Sequence, residues 1–144
     1  SVKSYQEELI ASMKKEGYGR IVNIISTSVK IPLKNLGVSN TIRGAVASWS
    51  KTMANELGQF KITVNNILPG FTATQRLTTL IDSMAKKGNT VVDIVEKNMM
   101  EEVPMKRFAE ASEVAAVAAF LASPAASYVN GVSIPVDGGR TGSI

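Results

Sequence analysis

Cysteine and histidine are both absent from the 144 residues. Without cysteine there is no disulfide, no thiolate nucleophile and no cysteine-based zinc site, and no metal site of any kind is expected. Without histidine there is no imidazole general base and no Ser-His-Asp triad, which removes most hydrolase chemistry. Aromatic residues are scarce at 6%, and no run interleaves them with Lys or Arg. The net charge of +4, from 16 basic and 12 acidic residues, is therefore read as solvated helix faces, Lys14-Lys15 and Lys86-Lys87 among them, with no nucleic-acid partner. No window approaches the ~18 apolar residues of a membrane span. The amino terminus also lacks the apolar run of a signal peptide, so the expectation is a soluble, cytoplasmic chain with no membrane partner.

The chain has 44% hydrophobic and 19% charged residues, which excludes disorder. A single domain of this length buries roughly 68–70% of its unfolded surface. Apolar Val2, Tyr5, Leu9, Ile10 and Met13 recur at helical spacing, and Gly17 and Gly19 end that stripe. The short, β-branched run Arg20–Ser26 suits a strand covered on both faces. After a loop with Pro32 and Gly37, a stripe of Ile42, Ala45, Val46, Trp49, Met53 and Leu57 predicts a long helix stopped by Gly58. Ile62–Leu68 predicts a second strand, ended by Pro69-Gly70. A helical region from about Thr74 to Met100 breaks at Gly88-Asn89, with faces Leu77, Leu80, Ile81, Met84 and then Val91, Ile94, Val95, Asn98. Ser112 reads as the cap of a last helix through Val114, Val117, Ala118 and Leu121. Asn130-Gly131 then turns the chain into Val132–Val136, whose Pro135 places that strand at a sheet edge. Helices alternating with strands over long connections imply a parallel α/β sheet of three strands with flanking helices. Such a sheet is thin, its first strand would carry an open edge, and the chain reads as a piece of something larger.

Five segments stand in an order and spacing that resemble the short-chain dehydrogenase/reductases: Arg20–Ser26, Val38–Val46, Val64-Asn65-Asn66-Ile67-Leu68-Pro69-Gly70, Val103–Phe108 with Ser112–Val114, and Val136-Asp137-Gly138-Gly139. The resemblance covers nearly the whole chain and is to the family's C-terminal half. It implies a partial Rossmann-like fold in which residues 1–144 are the catalytic, substrate-side part of one domain. The family's opening strand, glycine-rich turn and helix, which cradle a dinucleotide pyrophosphate, have no counterpart here. Ser1 is not a start methionine, so a preceding half is expected.

The resemblance further implies an NAD- or NADP-dependent oxidoreductase that moves a hydride between nicotinamide and a carbonyl or alcohol substrate. Family members of this kind use a serine, then a Tyr-x-x-x-Lys pair thirteen residues on. Ser26 matches the serine; Ser39 stands at the tyrosine position and Arg43 at the lysine position. A phenol titrates near 10 and an alkyl hydroxyl is a far weaker acid, while a guanidinium stays protonated and is no lysine equivalent. Ser39 also reads as the N-cap of the long helix, and Ser26 as a hydroxyl that bonds a loop. Lys30, Lys34 and Asn40 are candidates to replace the phenol; Tyr5, Tyr18 and Tyr128 are poorly placed. The resemblance puts the backbone after Pro69-Gly70, through Phe71 and Thr72, against the nicotinamide carboxamide, with Thr74 as the threonine that contacts it. It also implies a homodimer or homotetramer, pairing the first helix and the long one across subunits. The alternative is a family member without catalysis that serves as a binding or assembly subunit, a reading the Ser39 and Arg43 replacements favour.

Overall fold

The computed structural model describes residues 2–142, with side chains from position 7 onward. Helix α1 (Val2–Glu16) leads through Gly17, at φ +63°, into strand β1 (Gly19–Ile24). A single 3-10 turn (Thr27–Val29) follows, and then helix α2 (Gly37–Leu57). Strand β2 (Ile62–Pro69), helices α3 (Gln75–Lys87), α4 (Val92–Glu101) and α5 (Ala111–Ala122), and strand β3 (Ser133–Val136) complete the chain. The break expected at Gly88-Asn89 is the α3–α4 connection. Gly17 alone closes α1; Gly19 already belongs to β1, where an added Cβ would fall 2.7 Å from the Met13 sulfur.

The sheet is parallel throughout, in the order β1-β2-β3. β2 is buried over seven consecutive residues, as a central strand between two helical layers must be. Its alternate residues serve opposite faces. Ile62 and Val64 join Ala54 and Leu57 of α2, with Ile10 and Met13 of α1 against them. Ile67 joins Leu121 of α5, with Val22, Val117 and Ile134 packed alongside. β1 is covered less completely than its composition suggests, and Ile24 at its end is 57% exposed. Pro135 does lie in an edge strand, where its missing N–H breaks no further ladder.

Polar residues in the buried strands are matched to one another. Asn23 Nδ2 donates to Asn66 Oδ1 at 3.1 Å and to Ser50 Oγ at 2.9 Å, and Asn66 Nδ2 donates to Ser133 Oγ at 3.0 Å. These three strand residues are register partners across the sheet. A slip of either neighbouring strand would leave buried amides unbonded, so the ladder sets the register as well as satisfying it.

Two helix starts differ from expectation. α2 begins at Gly37 with Leu36 as its N-cap, which puts Ser39 inside the first turn. α5 is capped by Glu110, whose carboxylate accepts from the backbone of Glu113 while Glu113 reaches back to the Glu110 N–H, so Ser112 caps nothing. Glutamates can close this reciprocal box as serine does, and composition alone favoured the serine. The α2 stripe is also only half used. Leu57 is buried and Val46 and Met53 are half-buried, whereas Ile42 is 58% and Trp49 39% exposed.

Candidate active site

Parallel strands bring their carboxyl ends to one side of the sheet, and the connections that leave them wall a cleft there. β1 delivers Ile25 and Ser26 to this edge, and the Ile25 N–H donates to the Ile67 carbonyl at 2.9 Å. β2 delivers Pro69 and Gly70, where the Gly70 N–H donates to the Val136 carbonyl at 2.9 Å. Gly70 is required by close packing: a Cβ there would sit 2.6 Å from the Asp137 Cβ and 2.8 Å from its Cα.

One cleft of about 280 Å³ is lined by Ser26, Ser39 and Arg43 on one side. Pro69, Gly70, Phe71, Thr72 and Thr74 line the other. All eight residues singled out in the sequence therefore meet in one place. Lys30 and Lys34 are exposed and do not line it. Asn40 is committed elsewhere: its Nδ2 donates to the Leu33 carbonyl at 2.8 Å and its Oδ1 accepts from the Leu33 N–H at 3.4 Å. Tyr18 bonds the Ala122 carbonyl beside the opposite ends of the strands, Tyr128 is fully exposed, and the Tyr5 side chain lies outside the described residues.

Thr72 Oγ1 donates to the Gly70 carbonyl at 3.3 Å, whereas Ser26, Thr74 and Ser39 share another arrangement. Ser26 Oγ accepts from the Ser28 N–H at 3.2 Å, capping the 3-10 turn. Thr74 Oγ1 accepts from the Leu77 N–H at 3.4 Å, capping α3. Ser39 Oγ accepts from Arg43 Nε at 3.1 Å. Each oxygen thus takes one N–H from the chain, which leaves its own proton to donate into the cleft. Arg43 is doubly held, because its Nη1 also donates to the Ile25 carbonyl. The loop hydrogen bond expected as one reading of Ser26 is therefore present, in the turn that directly follows β1.

Sequence reasoning missed five contributors. Ser28 lines the cleft at 4% exposure, and its Oγ has no hydrogen-bond partner among the described residues. Leu33 and Leu36, from the loop before α2, give the cleft apolar walls. Arg76, in the first turn of α3, adds a second cation. The fifth is Ala109, whose carbonyl accepts from the Ala73 N–H at 2.8 Å and whose N–H donates to the Phe71 carbonyl at 2.9 Å. That bridge explains the motif around Arg107-Phe108. The segment is tied down by Arg107, which makes two 2.7 Å bonds to Glu113, and it holds the loop after Gly70 in place. The Arg107 pair and the Glu110 N–H hold the Glu113 carboxyl down to about 2. Phe108 meets Phe71 edge-on at 6.1 Å.

Comparison with known proteins gives these residues a lineage. A family model described as "Enoyl-(Acyl carrier protein) reductase" matches residues 1–141. The NADPH-dependent reductase BacG of Bacillus subtilis (strain 168) is 39% identical over 132 residues, covering 92% of this chain and 51% of BacG. The chain belongs to the short-chain dehydrogenase/reductase family. Among solved structures of the family, YwfH, an NADPH-dependent reductase involved in bacilysin biosynthesis, superposes with a TM-score of 0.86 at 39% identity, over 92% of this chain and 50% of that one. NAD+-bound xylitol dehydrogenase superposes with a TM-score of 0.84 at 29% identity, over 93% and 54%. The chain spans about half the length of the family members it matches. The three-stranded parallel sheet seen here thus matches part of a Rossmann-type fold.

Among the described residues, no helix is long and apolar enough to cross a membrane, and no group of three or more Asp and Glu side chains could hold a metal ion.

Proposed function

We propose that the cleft is the nicotinamide-side and substrate-side half of an NAD- or NADP-dependent oxidoreductase site acting on a carbonyl or alcohol. The convergence of Ser26, Ser39, Arg43 and the Pro69–Thr74 loop on one cleft carries this reading. The donor set fits the group: carboxamide, ribose and carbonyl oxygens are acceptors, and three hydroxyl protons face them. The unpartnered Ser28 hydroxyl is a further buried polar atom that a ligand or water oxygen would satisfy. Bound nicotinamide supplies or accepts the hydride. The pyrophosphate cradle is not among these residues, so they hold only one end of a dinucleotide.

The chain's own part is positioning and proton management. Ser26, fixed by the Ser28 N–H, donates to the carbonyl oxygen. Thr74 and the backbone of Phe71 and Thr72 orient the carboxamide end. Ser39 holds the place a phenol fills in relatives with the Tyr-x-x-x-Lys pair, and Arg43 Nε stabilises negative charge on its oxygen as a proton leaves. An alkyl hydroxyl remains a poor acid, so turnover is slow, and the 144 residues by themselves bind without turnover. The parent protein assembles as a homodimer or homotetramer in the cytoplasm, the exposed half of the α2 stripe supplying contact surface.

A second reading is favoured by one observation. Arg43 is occupied by the Ile25 carbonyl and Ser39 Oγ, as a structural staple would be. In that reading the protein binds ligand or partners without catalysis. Titration with NADPH, followed by the nucleotide's own fluorescence, separates these ideas from a cleft that binds nothing. The reductase reading expects a saturable change, and carbonyl reduction that rises in the Ser39→Tyr/Arg43→Lys double variant of the longest chain obtainable. Binding with no reduction in either form supports the non-catalytic reading. No binding at millimolar NADPH removes the reductase reading and leaves the non-catalytic one only its partner-binding form.

A further inference from the structure

The cleft is lined by two arginines and by no carboxylate. Arg43 is tied down at Nε and Nη1, but Arg76 is different. It occupies the first turn of α3, where helices favour Asp and Glu because unpaired N–H groups leave partial positive charge there. α3 has no acidic residue in that turn. One turn away along the helix stand Ala73, Thr79 and Leu80, so no carboxylate can pair with Arg76 from its own helix. Among the described residues the ion pairs are Lys106–Glu101, Arg107–Glu113 and Arg140–Glu102, and neither cleft arginine takes part. A cation at the unfavourable end of a helix, without a counter-charge and on the wall of a cleft, is an arrangement that an incoming anion would complete. Beside the hydroxyls described above, the wall carries the apolar side chains of Leu33, Leu36, Leu77 and Leu80.

Resting on the reading of the cleft as a carbonyl-handling site, we infer that its substrate is an organic acid with an apolar body. Arg76 and the amino end of α3 hold the carboxylate, the leucines cover the carbon chain, and the carbonyl lies toward Ser26 and Ser39. A neutral ketone would leave Arg76 unmatched and bind less well. The cofactor's phosphates are the other anion that could reach this wall, and the test separates them.

The full chain is titrated with 4-methyl-2-oxopentanoate, with its uncharged methyl ester, and separately with NADPH, each followed by calorimetry. The acid is expected to bind at least about tenfold more tightly than the ester at low salt, with the gap narrowing as salt screens it. Arg76→Gln, a change at an exposed position, is expected to bring the acid to the ester's affinity and leave the ester and NADPH unchanged; an unaltered amide NMR spectrum confirms the fold. Equal affinities for acid and ester in the parent chain overturn the inference. So does a variant that loses NADPH affinity while keeping the acid, since Arg76 would then serve the nucleotide. If NADPH fails to bind while the acid is still preferred and Arg76→Gln abolishes that preference, the anion assignment stands and the oxidoreductase reading falls.

Discussion

Arg43 Nε donates to Ser39 Oγ across 3.1 Å within one turn of α2, and the same guanidinium donates from Nη1 to the carbonyl of Ile25. One side chain therefore joins the start of α2 to the end of β1 and fixes the residue before Ser26. Both members of the pair line the cleft.

Removing this staple should be felt in stability. Arg43→Met leaves the Ile25 carbonyl and Ser39 hydroxyl short of a charged donor, and a loss of ~1–3 kcal/mol is expected in urea denaturation. Arg43→Lys should fall between the two, because a single ammonium cannot span both acceptors as a planar fork does. Equal stability of all three proteins would show that the staple contributes nothing.

The Asn23–Asn66–Ser133 ladder yields a second prediction. Asn66→Ala leaves the half-buried Asn23 amide and Ser133 hydroxyl without their partner on buried β2, for an expected loss of ~1–3 kcal/mol, more than Ser133→Ala at the edge strand. Thermal unfolding of the two variants checks the order.

Gly70→Ala forces a Cβ into the backbone of Asp137, which cannot move without shifting the end of β3. The expected outcome is a stability loss of ~1–3 kcal/mol, together with amide NMR shifts from Gly70 through Thr74 and at Asp137. Shifts confined to residue 70 would contradict the close packing described above.

Acid titration probes the segment that braces the same loop. Glu113 has its carboxyl held down to about 2, first by Arg107 and then by the Glu110 N–H. An unfolded glutamate titrates near 4.3. Its contribution is therefore complete above that value and is lost as pH falls toward about 2. Glu113→Gln should lower the melting temperature at neutral pH, and the difference from the parent should shrink across that acid window. A constant difference down to pH 2 would mean the ionised carboxylate is not what matters.

Much of this was legible from residue order. β-branched runs and helical spacing marked every strand and the five helices, because their periods are intrinsic to the backbone. The cleft was legible through the family resemblance, which set Ser26, Ser39 and Arg43 at the positions of the family's serine, tyrosine and lysine, and these residues do meet in one cleft. What escaped notice depended on contacts distant in sequence. Nothing near Gly70 signals that Asp137 packs on it, and nothing near Phe71 signals that Ala109 braces its backbone. Glu110 was hidden as a cap because serine, the commoner cap, stood two positions on. Arg76 did carry a signal, a cation where helices prefer acids, which apolar periodicity does not register. The α2 stripe was over-read in the opposite sense, since periodicity reports an apolar face and is silent about what covers it.

The central claim is that Ser26, Ser39, Arg43 and the Pro69–Thr74 loop form one ligand-binding cleft for the nicotinamide end of NAD or NADP. Amide NMR mapping of the isotope-labelled chain during NADPH titration tests it most directly. The account predicts saturable shifts centred on Ser26, Ser28, Ser39 and Gly70–Thr74, with α4 and the amino ends of the strands unmoved. Shifts absent at millimolar NADPH, or clustered away from those residues, would contradict it.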